Sequence, residues 1–142
     1  MAMRYLVLIS KCPNNYDAGS PDVLGCISTG RTLKETQANF HEALELHFEG
    51  MQEDDEPIPE PTARAIVVEG YNVVIHREGG VWKAFVEELW PFMVAADAPE
   101  RAESLMREVL PGYLADLRDN ETPAPEPSSH VVYVDVTLPV PA

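Results

Sequence analysis

Basic residues are scarce in this chain: 10 Lys and Arg stand against 24 Asp and Glu, a formal net charge of −14. Proteins hold phosphate backbones by displacing counterions with cationic side chains, so the deficit argues against nucleic acid as a direct ligand. It suits a basic protein partner, whose approach the negative field would steer. Cysteine is equally sparse, with Cys12 and Cys26 alone, and both are read as reduced thiols rather than a disulfide framework. No apolar run approaches the ~20 residues of a membrane-spanning helix, and no N-terminal secretion signal is recognised, so a cytoplasmic location and no membrane partner are expected. With 45% hydrophobic and 24% charged residues, the composition is still that of a folded globular chain.

Reacting groups are missing too. No Ser, His and Asp arrangement or phosphate-cradling glycine loop is present, and Gly79-Gly80 reads as a hairpin turn. His41 and His47 fall on different faces of a helix and cannot form an i, i+4 metal pair. His47 reads as a core-edge residue and Trp82 and Trp90 as core; His76 and His130 have no Cys or His near them in sequence. The chain is therefore expected to be non-enzymatic, with no catalytic, cofactor-binding or metal-binding residues.

What the chain does have is internal self-similarity at an ungapped shift of 66 positions (71 − 5), the length range of repeated architecture. Tyr5-Leu-Val-Leu-Ile9 falls on Tyr71-Asn-Val-Val-Ile75, Tyr16 on Trp82, Phe40 on Met106, Leu44 on Leu110 and Met51 on Leu117. Pro57-Ile-Pro-Glu-Pro61 falls on Pro123-Ala-Pro-Glu-Pro127, and Ile66-Val-Val-Glu69 on Val132-Tyr-Val-Asp135. The expected organisation is two tandem units, residues 1–70 and 71–142. Units this small are marginal alone, so they should share a core or a sheet, as a pseudo-dimer within one chain or a homodimer.

The first unit reads as an antiparallel meander: a strand over Arg4 to Ile9 buried on both faces, a second over Tyr16 to Ser20 and a short third over Cys26 to Thr29. Thr32-Leu-Lys-Glu35 is a capping box opening an amphipathic helix, with Leu33, Phe40, Ala43, Leu44, His47 and Met51 on one stripe. A fourth strand, Ala65 to Glu69, should lie parallel to a meander strand through a right-handed crossover. It then continues into Tyr71 as one long strand or turns back as a tight hairpin. The second unit repeats the plan over Tyr71 to His76, Val81 to Glu87, Phe92 to Ala96, a helix from Pro99 to Arg118 kinked at Pro111, and Val131 to Val136. The fold class is α+β.

Pro21-Asp22-Val-Leu-Gly25-Cys26, Thr32-Leu-Lys-Glu35 and Glu56-Pro-Ile-Pro-Glu-Pro61 together resemble the HicB family of antitoxins, across the whole first unit. The resemblance implies a ribonuclease-H-like β-β-β-α-β unit, and a partner: a small basic HicA-type toxin that cleaves mRNA with a histidine and is masked by the antitoxin. The second unit has Leu89-Trp90-Pro91-Phe92 where the family loop would be, and it stands where many members carry a DNA-binding domain. No basic recognition helix is found there. Glu53, Asp54, Asp55 and Glu56 are the candidate partner-binding residues, a carboxylate run able to attract a toxin's RNA-binding lysines and arginines. Two other functions remain open: an interaction or scaffold protein without a toxin, and a weak metal-dependent ribonuclease using Asp17 and Asp22. Neither first strand carries the carboxylate that such a nuclease usually needs.

Overall fold

Tyr5, Val7 and Ile9 alternate along the first strand with Leu6 and Leu8, and all five are buried, so both faces of this strand lie away from solvent. The computed structural model describes residues 2–138 and extends the strand, β1, over Ala2–Lys11. It pairs antiparallel with β2 (Tyr16–Ser20), which pairs antiparallel with β3 (Val23–Gly30). The third strand, expected only from Cys26, starts already at Val23 after a turn at Pro21-Asp22, and it takes a positive φ at Gly25 in its stride. The other edge of β1 is closed by β8 (His130–Thr137), antiparallel over eight residue pairs from Ala2↔Thr137 to Ile9↔His130.

Helix α1 (Leu33–Glu53) covers one face of this sheet. Thr32 caps it by accepting from the Glu35 backbone N–H at 3.0 Å. Phe40, Leu44 and Phe48 pack against Tyr5, Val7, Ile9, Cys26, Val134 and Val136. Each large apolar side chain removed from water contributes about 1.5–3 kcal/mol, so this cluster is the principal stabilising term of the unit. Phe48 and Thr36 belong to the buried stripe although neither was expected there, while His47 stays half-buried beside Phe48.

A second sheet orders β4 (Arg64–Val68), β5 (Tyr71–Glu78), β6 (Val81–Phe85) and β7 (Met93–Ala96), again all antiparallel. Helix α2 (Pro99–Asp119) lays Ala102, Met106 and Leu110 on Val73, Ile75, Ala84 and Val86, and continues through Pro111. The Gly79-Gly80 turn expected between the first two strands is present, both glycines having positive φ. Trp82 lies against this core. Trp90 does not: it is 61% exposed, following a short 3-10 turn at Glu87–Leu89 and meeting Phe85 edge-on.

The fourth strand departs from expectation. β4 enters no parallel crossover; Val68 and Tyr71 face each other across Glu69-Gly70, whose φ values of 53° and 83° make a two-residue hairpin of the primed type. Gly70 is therefore the tip of a hairpin and not the joint between compact units. Those units are Met1–Thr62 with His130–Ala142, and Ala63–Ser129, so each sheet takes its closing strand from the other half of the sequence. Sheets and cores are separate, and the halves are tied together by exchanged strands rather than by one shared sheet. The exchange is regular. Tyr5↔Val134 and Tyr71↔Val68 are the same pairing displaced by 66 in each strand (71 − 5 and 134 − 68), and α2 begins and ends 66 residues after α1 (99 − 33 and 119 − 53).

Where β3 meets the first turn of α1, a Cβ built on Gly30 would lie 2.5 Å from the Thr36 hydroxyl oxygen and 2.7 Å from its backbone nitrogen. The corresponding residues 66 further on are Ala96 and Ala102, a larger strand residue facing a smaller helix residue, both in the second core. Overpacking costs typically about 1–3 kcal/mol, so Gly30→Ala should lower the urea midpoint by a corresponding amount, and adding Thr36→Ala should recover much of it. A Gly30→Ala chain as stable as the parent would refute the close approach.

Candidate partner-binding surface

The four acidic residues singled out from the sequence end α1 and begin the segment that follows. Glu53 is the last helical residue, Asp54 the C-cap, and Asp55 turns the chain left-handed with φ 54°. The end is closed by backbone bonds from Asp54 N–H to the Gly50 carbonyl, Asp55 N–H to that of Gln52 and Glu56 N–H to that of Met51. All four side chains are exposed. They stand at the negative end of the helix dipole, and the last turn holds no basic residue to offset them. An incoming cation would relieve that repulsion.

The segment Pro57 to Thr62, here called the strap, holds this acidic end in place. Tyr5 donates its hydroxyl to the Pro59 carbonyl, and Ile58 packs on the core. Asp22 accepts from both the Thr62 backbone N–H, at 2.7 Å, and the Thr62 hydroxyl, at 2.6 Å. The same fastenings recur in the second unit: Tyr71 donates to the Pro125 carbonyl, and Glu88 accepts from the Ser128 and Ser129 amides and the Ser129 hydroxyl. Sequence reading passed over these partners, although the shift of 66 that placed Tyr5 on Tyr71 also places Asp22 on Glu88 and Thr62 on Ser128. The acidic run itself thins in the second unit, where Asp119, Asn120, Glu121 and Thr122 take its places.

Facing β8, α1 offers His41, whose Nε2 lies 3.0 Å from the Asp135 carbonyl and whose Nδ1 lies 3.2 Å from Glu45. The Asp135 side chain meets Arg4 at 2.9 Å; hydrogen bonding to that guanidinium lowers the carboxyl below its usual range and raises Arg4. Both side chains are largely exposed, and such pairs contribute little to stability.

The carboxylates considered for hydrolysis have other engagements. Asp17 accepts from the Cys12 thiol at 3.4 Å, which raises that thiol above its normal range, and Asp22 is bonded to Thr62. Glu35 occupies the capped first turn of α1. Cys12 and Cys26 are both free, and burial pushes Cys26 up. Among the described residues no three His, Cys, Asp or Glu gather as a metal site would require.

Residues 5–70 match the family described as HicB-like antitoxin of bacterial toxin-antitoxin system. The UPF0150 protein Ta0767 of Thermoplasma acidophilum is 34% identical over 67 residues, which are 46% of this chain and 97% of that protein. An uncharacterised 14.9 kDa protein of the rep-hol intergenic region of Haemophilus phage HP1 is 47% identical over 57 residues, 40% of this chain and 43% of that protein, so less than half of the phage relative is spanned. Among solved structures, a chain of a HicA3 and HicB3 toxin-antitoxin complex is 32% identical, with a TM-score of 0.39, covering 42% of this chain and 69% of its own. No helix among the described residues is long and apolar enough to cross a membrane.

Two measurements check the strap. Hydrogen bonds to a charged group contribute about 1.5–3 kcal/mol, so Asp22→Ala should lower the urea midpoint and raise amide exchange at Thr62; protection that stays at the parent level would disprove the clamp. Burial, with a smaller part from Asp22, pushes the Tyr5 phenol up to about 12. An unfolded tyrosine ionises near pH ~10 while the native one keeps its proton, so this contribution is intact below ~10 and is lost as the pH rises through the native value. Tyr5→Phe should therefore flatten the alkaline loss of stability measured by urea unfolding, and an unaltered slope would count against it.

Proposed function

Because this chain belongs to the HicB-like antitoxin family, we propose that it binds a small basic HicA-type toxin and masks the surface with which that toxin engages mRNA. The observation that carries the reading is the set of exposed carboxylates at Glu53, Asp54, Asp55 and Glu56, uncompensated within the helix end and fastened by the strap. A site of this kind meets lysine and arginine without first having to order itself, which favours rapid association. Masking is steric and electrostatic, requires no reacting group of the antitoxin's own, and takes place in the cytoplasm, where mRNA is translated.

We further propose that residues 1–70 and 71–142 are tandem HicB-like sequence repeats of the ribonuclease-H-like type, each lending its last strand to the other's compact unit, the second divergent and standing in for the other subunit of a dimer. The repeated helix bounds, strand registers, tyrosine-to-proline bonds and carboxylate clamps support this. So does a relative that aligns over nearly its whole length with fewer than half of these residues. A fused repeat supplies the contacts of a dimer without the association cost of separate chains.

Coexpression with the small basic protein encoded beside the gene, followed by copurification, tests the antitoxin reading. Neutralising the four acids to Gln and Asn should slow association about tenfold at low ionic strength and flatten its salt dependence, leaving dissociation nearly unaltered. An association rate that does not change at low salt would dispose of the acidic run as the steering element.

A further inference from the structure

α1 carries more than its acidic end. Between its second half and β8 runs a groove of about 210 Å³, floored by Phe48, Val136 and Leu138 and walled by Glu45, Glu49 and Gln52. Beyond the wall the outward face presents Glu42 and Glu53, and neither these nor Glu49 of the wall is joined to a cation among the described residues. One turn's width further round stands Leu46, 62% exposed in the midst of this charge. At about 100° per residue these side chains form one continuous strip of apolar groove, carboxylates and apolar knob. No folding requirement accounts for Leu46, which the core does not touch.

An apolar trough with carboxylates on its rim matches the anatomy of an arginine or lysine side chain, whose aliphatic stem lies on hydrocarbon while its head stays polar. Resting on the antitoxin reading, we infer that this α1 strip is the docking site of the toxin. The groove takes the stem of one of its basic residues against Leu138 and the methylenes of Glu45, Glu49 and Gln52, above the buried Phe48 and Val136, Glu45 and Glu49 hold the cationic head, and Leu46 enters an apolar recess in the toxin. Among the described residues there is one such site. At the corresponding places in α2, Glu45 becomes Pro111, Leu46 becomes Gly112, Glu49 becomes Ala115 and Gln52 becomes Arg118, so rim, knob and charge are lost together while the buried residues of the helix keep their pattern. The second unit therefore serves as support, and the complex is one toxin to one chain.

The test uses the full chain and the small basic protein encoded beside it, with native mass spectrometry for composition, calorimetry for affinity and thermal melting to confirm folding. Leu46→Lys and Glu49→Lys, both at the surface, should each weaken binding about 10–100-fold, as residues central to an interface do. Gly112→Lys and Ala115→Lys, at the equivalent places in α2, should stay within about twofold of the parent, as ordinary surface substitutions do. Two toxins per chain, or parental affinity in both α1 variants, would overturn the assignment of the site while leaving the antitoxin reading intact. A parent chain that binds no toxin under the same conditions would remove the antitoxin reading itself and this assignment with it.

Discussion

The pairing of β1 with β8 is the contact on which the first unit rests. β1 is the most buried strand of its sheet, and its outer edge is closed only by residues that arrive some 130 positions later, as the Arg4–Asp135 pair shows with a separation of 131. Val134 and Val136 also enter the core beneath α1, so β8 supplies both ladder hydrogen bonds and apolar area. Closing so long a loop costs only slightly more entropy than closing a short one, since the penalty grows with the logarithm of length. A distant strand is thus an affordable completion for a sheet that would otherwise expose an edge prone to pairing with other chains.

The same physics shapes the connecting segments. The chain leaves a helix in one unit and enters a strand of the other by way of the strap and of its counterpart at residues 123–128, and both are proline-rich and fastened by a tyrosine hydroxyl and a carboxylate. Interior and exterior then vary under different rules. Inside, Gly30 facing Thr36 is exchanged for Ala96 facing Ala102, with one residue growing as the other shrinks. Outside, Leu46 and Gly112 differ without any such balance.

Helices, meanders and the shift of 66 were legible because each leaves a local mark: the Thr32 cap, the unbroken apolar run of β1, the alternation in β2, the stripe through Phe40 and Leu44. The identity of the strand pairing with β1 was not. Ile66 and Val132 occupy the same place in the repeat, and no local property of either tells which sheet it will join. What decides is the hairpin at Glu69-Gly70, short enough to hold β4 against β5, and a right-handed crossover within one sheet was the wrong rule for a strand so captured. Trp90 escaped for a related reason: size and aromaticity predict burial, whereas the turn that displays it depends on where the chain must reverse. The acidic run was legible as charge, but the strap that fixes it depends on Asp22, 40 residues from Thr62.

The exchanged strands also impose an order on synthesis. Residues 63–129 are contiguous and contain all four strands and the helix of the second unit, so this part is complete while β8 has yet to be made. The first unit, bearing the more acidic helix, waits for His130–Thr137 before its sheet closes. A ribosome that stalls or a message cut before the codons of His130–Thr137 would release a polypeptide with residues 63–129 assembled and the first sheet missing its edge strand. Closure of the first sheet is thereby a late event that depends on translation through β8.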